Sequence, residues 1–142
     1  MKYIILVSHG EFANGLKNAL SMLAGERKDL LSAGLKNGKS AEEFAEEFTQ
    51  LIAPVTEEDE ILLFGDLIGG SPLTTACNVL AEKGLASNLR VIGGMNLPAV
   101  LSALLSTEFM DLEMLKETRL SEGRNALNEF VVSCEDDAED DI

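Results

Sequence analysis

Four short β-type runs, mostly apolar, alternate with longer stretches whose apolar positions recur every three or four residues. Residues 3–8, 29–35, 60–64 and 89–92 form the short runs and are predicted to be strands, with 60–64 apolar enough to lie inside a sheet covered on both faces. Residues 11–24 place Phe12, Leu16, Ala19, Leu20 and Leu23 on one helical face, with Gly25 as the stop. Ser40 and Glu43 make a Ser-x-x-Glu capping box after an Asn37-Gly38 turn. The helix it opens carries Ala41, Phe44, Ala45, Phe48, Leu51 and Ile52 as its stripe, and Pro54 lies just past the end. Ser71 reads as the N-cap of a third helix with Pro72 in its first turn, a stripe of Leu73, Ala76, Cys77 and Leu80, and Gly84 as the stop. Helices over 97–106 and 111–128 follow, and residues 130–133 read as a last, edge-type strand. Strand and helix in alternation predict an α/β fold with an open, mainly parallel sheet and helices on both faces.

No repeat or proline-rich linker interrupts the pattern, so residues 1–133 are expected to be one domain. Residues 134–142 are almost all acidic and are expected to be a solvated, disordered tail. An apolar fraction of 46% with 5% aromatics and no Trp suits aliphatic packing of helices on a sheet and argues against a β-sandwich. The formal charge of -14 repels phosphate backbones and anionic lipid, so nucleic acid is a poor partner. The apolar start is too short for a membrane span and lacks a signal-peptide cleavage pattern, which gives a cytoplasmic expectation. Cys77 reads as a small core residue and Cys134 has no strong reading. One histidine and two distant cysteines leave no His-rich or CxxC metal centre.

Functional groups of an open α/β sheet gather where the strands end, above all where neighbouring connections diverge. Three loops occupy such ends: Ser8-His9-Gly10, the stretch from Asp66 to Ser71, and the stretch from Gly93 to Pro98. If the first and third strands are neighbours, in the flavodoxin-like order, His9 and Asp66 face each other across the crevice. Histidine is the side chain whose ordinary pKa lies near neutrality, so His9 is the natural candidate for a proton or phosphoryl acceptor. A lone histidine at a strand end is more often an incidental polar residue, and it is the carboxylate and the Gly-rich helix start expected at the same edge that favour function. Asp66 would hold one ring nitrogen, fix the tautomer and stabilise the charge that builds on the ring. Gly69, Gly70 and Ser71 would offer backbone amides at a helix start as a phosphate cradle.

Two decoys and one rival chemistry are set aside. Residues 34–40 spell GxxxGKS, one residue short of a Walker loop, and no GxGxxG follows the first strand. A serine nucleophile has candidates in Ser8 and Ser71, but GxSxG is missing and the oxygen of Ser71 is expected to be engaged at a helix cap.

Ser8-His9-Gly10, the DLIGGSP run from Asp66 to Pro72 and the GMNLP run from Gly94 to Pro98 together resemble the IIA domain of the mannose-type sugar phosphotransferase system. The resemblance covers residues 1–133. It implies that His9 takes a phosphoryl group from HPr and passes it to a IIB component, serving the membrane components IIC and IID, with no metal or cofactor. Asp66 corresponds to the aspartate beside that histidine, and Ser71 lies in the same motif. Glu11 and Leu73 depart from aromatic residues familiar at those positions. The resemblance further implies a homodimer that exchanges a C-terminal antiparallel strand, here residues 130–133, and a free-standing IIA protein. A phosphorylation-dependent regulatory binding module of the same fold is the competing expectation.

Overall fold

The first strand, β1 (Lys2–His9), sends alternate side chains to opposite faces of the sheet, and both sets are apolar. It is followed by α1 (Phe12–Ala24), β2 (Leu30–Leu35), α2 (Ala41–Leu51), β3 (Glu60–Gly65), α3 (Ser71–Glu82), β4 (Leu89–Ile92), α4 (Leu97–Leu104) and α5 (Leu112–Asn125). This is a computed structural model, and it describes residues 1–133. The expectations for the acidic tail and for Cys134 lie outside the described residues.

The strands are all parallel and lie in the order β2-β1-β3-β4, a flavodoxin-like arrangement with β1 and β3 in the middle. On one face Ile4, Leu6, Leu62 and Phe64 meet α1, α4 and α5. On the other, Ile5, Val7, Ile61 and Leu63 meet α2 and α3. Each fully buried aliphatic side chain in these layers contributes about 1.5–3 kcal/mol, which explains why both faces of the central strands are apolar. Because α1 leaves β1 toward one face and α3 leaves β3 toward the other, a crevice opens between those two strand ends.

Several expectations are corrected by packing. Ala13, not Phe12, joins Leu16 and Leu20 on the buried face of α1, and Phe12 and Leu23 are exposed. The Ser8 hydroxyl accepts from the Ala13 amide at 2.7 Å and draws the small residue onto the sheet, which turns Phe12 outward. Ala41 is exposed at the start of α2, where the capping box holds as expected. Gly70 is the N-cap of α3, one residue before the expected Ser71, because the Gly70 carbonyl already accepts from the Thr74 amide. Cys77 is only half-buried at the edge of its layer, where partial burial pushes the thiol pKa up. Helix α5 ends at Asn125, and residues 130–133 are not in a strand: Phe130, Val131 and Val132 are exposed and pair with no strand among the described residues.

Gly34 explains part of the Walker-like decoy. A Cβ there would sit 2.0 Å from the Gly10 carbonyl oxygen, so the glycine lets β2 approach the turn that follows β1. Gly38 takes φ +85° in a turn, and Ser40 is spent as a helix cap. Gly15, by contrast, lies within α1 with open space around its missing side chain. Gly34→Ala is expected to cost about 1–3 kcal/mol through overpacking. Gly15→Ala is expected to stabilise by about 0.5–1 kcal/mol through helix propensity. Urea denaturation followed by circular dichroism measures both signs.

Candidate functional site

The end of β1 is held before any ligand arrives. Ser8 is fully buried, and its hydroxyl donates to the His9 carbonyl at 3.0 Å while capping the Ala13 amide. Glu11, the residue preceding α1, makes no side-chain cap, so Ser8 supplies the acceptor from the strand instead. Gly10 turns the chain at φ +56° and its amide donates to the Leu35 carbonyl at 2.8 Å. The neighbouring strand end is tied in turn by the Met95 amide, which donates to the Gly65 carbonyl at 3.0 Å.

Asp66 follows Gly65 and bridges to β1. Its Oδ2 accepts from the His9 backbone amide at 2.9 Å and lies 2.8 Å from the His9 Nδ1, while Oδ1 accepts from the Leu67 amide at 2.9 Å. Burial pushes the Asp66 carboxyl up, but the hydrogen bonds from His9 and Leu67 outweigh it and hold the carboxyl below its ordinary range. This stabilisation is complete above the unfolded-state carboxylate pKa and is lost as pH falls through the lowered value.

An ionised carboxylate only accepts hydrogen bonds, so the neutral His9 ring carries its proton on Nδ1. The lone pair then lies on Nε2, which touches no hydrogen-bond partner among the described residues. The His9 side chain is 47% exposed against 15% for Asp66, so the ring is open on one side and anchored on the other. Gly70 closes the anchored side: a Cβ there would lie 2.9 Å from His9 Cε1, the carbon between the two ring nitrogens. The N-terminus of α3 thus abuts the ring. Gly69 takes φ +85°, and the amides of Gly69, Gly70 and Ser71 donate to none of the described residues.

His9, Asp66 and Gly70 are brought together as the sequence implied, and Gly69 and Ser71 adjoin them. The side chain of Ser71 is exposed and does not cap α3, contrary to expectation. Neither Ser71 nor Ser8 bonds to the His9 ring, the relay that serine chemistry requires. Among the described residues, no three metal-ligating side chains converge, and no helix is long and apolar enough to cross a membrane.

Sequence reasoning missed how the three loops support one another. A Cβ on Gly93 would lie 2.1 Å from the Ile68 side chain, so the loop after β4 is a seat for the loop that carries Asp66. Asn96 caps α4 through the Ala99 amide and donates to the Gly123 carbonyl at 2.9 Å, fixing that seat to α5. Gly93-Gly94 and the Asn-x-Pro start of α4 were the available signals for this support.

Comparison with known proteins bears on the same stretch of chain. A family model described as the PTS system fructose IIA component, EIIA-man, matches residues 3–119. The PTS system fructose-specific EIIA component of Bacillus subtilis is 30% identical over 112 residues, covering 79% of this chain and 75% of that protein. The mannose-specific EIIAB component of Escherichia coli K12 is 27% identical over 105 residues, 74% of this chain but 32% of that longer protein. In fold, the mannose/sorbose specific IIA subunit from Enterococcus faecalis superposes with a TM-score of 0.80 at 22% identity, covering 94% of this chain and 98% of that one. With its strand ends, loops and most of its length matched, the chain belongs to the EIIA-man family and is a component of a sugar phosphotransferase system.

Proposed function

We propose that this chain is a phosphohistidine carrier, in which His9 accepts a phosphoryl group from phospho-HPr and passes it to a IIB component during sugar uptake. The observation that carries the proposal is the Asp66 Oδ2 contact at 2.8 Å to Nδ1, which leaves Nε2 unprotonated and exposed. The Nε2 lone pair attacks the phosphorus, the bond to the donor histidine breaks, and its electron pair returns to the donor ring. The proton on Nδ1 stays in place, so the phosphorylated ring becomes cationic and faces the Asp66 carboxylate. Transfer to IIB runs the same step in reverse.

The amides of Gly69, Gly70 and Ser71 are the proposed cradle for the phosphoryl oxygens, a reading supported by the start of α3 lying against the ring at Gly70. In-line transfer between two histidines needs alignment and charge stabilisation more than further chemistry, which suits a shallow site visited by two proteins in turn. The cytoplasm, where both partners work, is the proposed location. For assembly, the reading is a homodimer that exchanges residues 130–133. Its support is the exposed Phe130, Val131 and Val132 together with the outer edge of β4, whose sole strand neighbour among the described residues is β3.

With phosphoenolpyruvate, enzyme I and HPr, the protein is expected to take up one acid-labile phosphate, and His9→Ala none. Label retained by His9→Ala contradicts the assignment. Asp66→Asn is expected to keep the fold and slow transfer at least about tenfold, the scale seen when an orienting partner of a functional histidine is removed. Rapid-quench measurement of phosphoryl uptake reads the effect, and an unchanged rate removes the role given to Asp66.

A further inference from the structure

Two of the four arginines are spent on carboxylates: Arg27 holds Asp29, and Arg90 holds Glu113. Arg119 and Arg124 hold none among the described residues, although acidic side chains outnumber basic ones 25 to 11 in this chain. Both line one groove of about 510 Å³ between α5 and the outer edge of β4.

Arg119 is the unusual member. It is 4% exposed, and its Nη1 is committed to the Ser102 carbonyl at 2.7 Å and the Ser106 hydroxyl at 2.9 Å. Its Nε is buried without a hydrogen-bond partner among the described residues. Nη2 likewise donates to none of the described residues. Nε and Nη2 form one edge of the guanidinium, the fork that matches the two oxygens of a carboxylate. Burial holds the guanidinium below the ordinary arginine range, with Glu122 opposing at longer range and making no ion pair. An orphaned, buried, charged donor is costly to leave unpaired, and the cost is recovered when a carboxylate arrives.

The rest of the groove states what must bring that carboxylate. Its other walls are apolar, from Ile68, Val91, Leu120 and Leu127, and it runs beside the unpaired edge of β4. The C-terminal segment pairs apolar side chains with flanking acids: Phe130, Val131 and Val132 lie between Glu129 and a run of six acidic residues from Glu135 to Asp141. The same three side chains are 72–81% exposed, so this segment does not fold back onto its own groove.

We propose that Arg119 is a carboxylate-binding site which receives an acidic side chain from the C-terminal segment of a second copy of this chain. Phe130 to Val132 fill the apolar walls, and the carboxylate closes on the Nε edge of Arg119, with Arg124 adding charge at the rim. The inference rests on the homodimer reading above and adds to it an ionic lock that makes association depend on Arg119 and on salt. Ile68 belongs both to this groove and to the loop that carries Asp66, so the docked segment also braces the phosphoryl site.

Sedimentation of the full chain across a concentration series tests the lock. Arg119→Gln is expected to raise the dimer dissociation constant at least about tenfold, the loss of one buried charge-assisted contact. A full-length variant with the acids of Glu129 and residues 135–141 amidated is expected to do the same, and the two changes combined to weaken association no further than either alone. The amidated variant leaves the interior of the fold untouched, so it decides the matter if Arg119→Gln fails to fold. In that variant the Arg119 Nε–H resonance is also expected to move and to exchange faster with water. A wild-type dimer that is indifferent to both changes, or to which they add independently, overturns the lock and leaves the dimer standing. A wild-type monomer at high micromolar concentration overturns the dimer reading and the second-copy source with it, whereas loss of phosphate uptake by His9→Ala is unaffected by either result.

Discussion

A single carboxylate connects the fold to the chemistry. Asp66 takes two hydrogen bonds from one residue, the backbone amide and the ring Nδ1 of His9, and a third from Leu67. Such a grip is possible only because β1 and β3 are parallel neighbours with Val7 opposite Gly65, which brings residues 9 and 66 to the same sheet edge. The sheet register therefore sets the tautomer of the imidazole. That register depends on Ile5, Leu6, Leu63 and Phe64, none of which is exposed.

Rigidity around the ring comes from closeness more than from further hydrogen bonds. Gly70 lies against His9 Cε1, Gly34 lies against the Gly10 carbonyl, and Gly93 lies against Ile68. At each of these positions a side chain as small as alanine would meet an atom that is already in place. The side chain of His9 is confined by Asp66 and Gly70, while Nε2 is left facing outward, an arrangement suited to a group that must meet two large partners without being enclosed by either.

The fold was legible because each strand is a short apolar run that ends in a turn or loop, and because capping at Ser40 follows a local rule that needs no tertiary information. His9 and Asp66 were legible as a pair once the order of strands was assumed. What was not legible depends on three-dimensional neighbours. Periodicity placed Phe12 in the core, whereas the Ser8 hydroxyl selects Ala13. Residues 130–133 have strand-like composition, but a strand is made by its pairing, and among the described residues 130–132 join no sheet. Arg119 reads as one more charge in the polar helix α5; its buried place is set by Ser102 on α4 and Ser106 in the turn just after it, which sequence spacing does not reveal.

The central claim concerns which nitrogen of one ring carries the phosphorus, and the presence of a single histidine makes it directly observable. Nitrogen-15 and phosphorus-31 spectra of the histidine-labelled protein, before and after phosphorylation by HPr, resolve the two positions. The account predicts a proton on Nδ1 throughout and a phosphorus–nitrogen coupling at Nε2. Phosphorus bound to Nδ1, with the proton on Nε2, would contradict it.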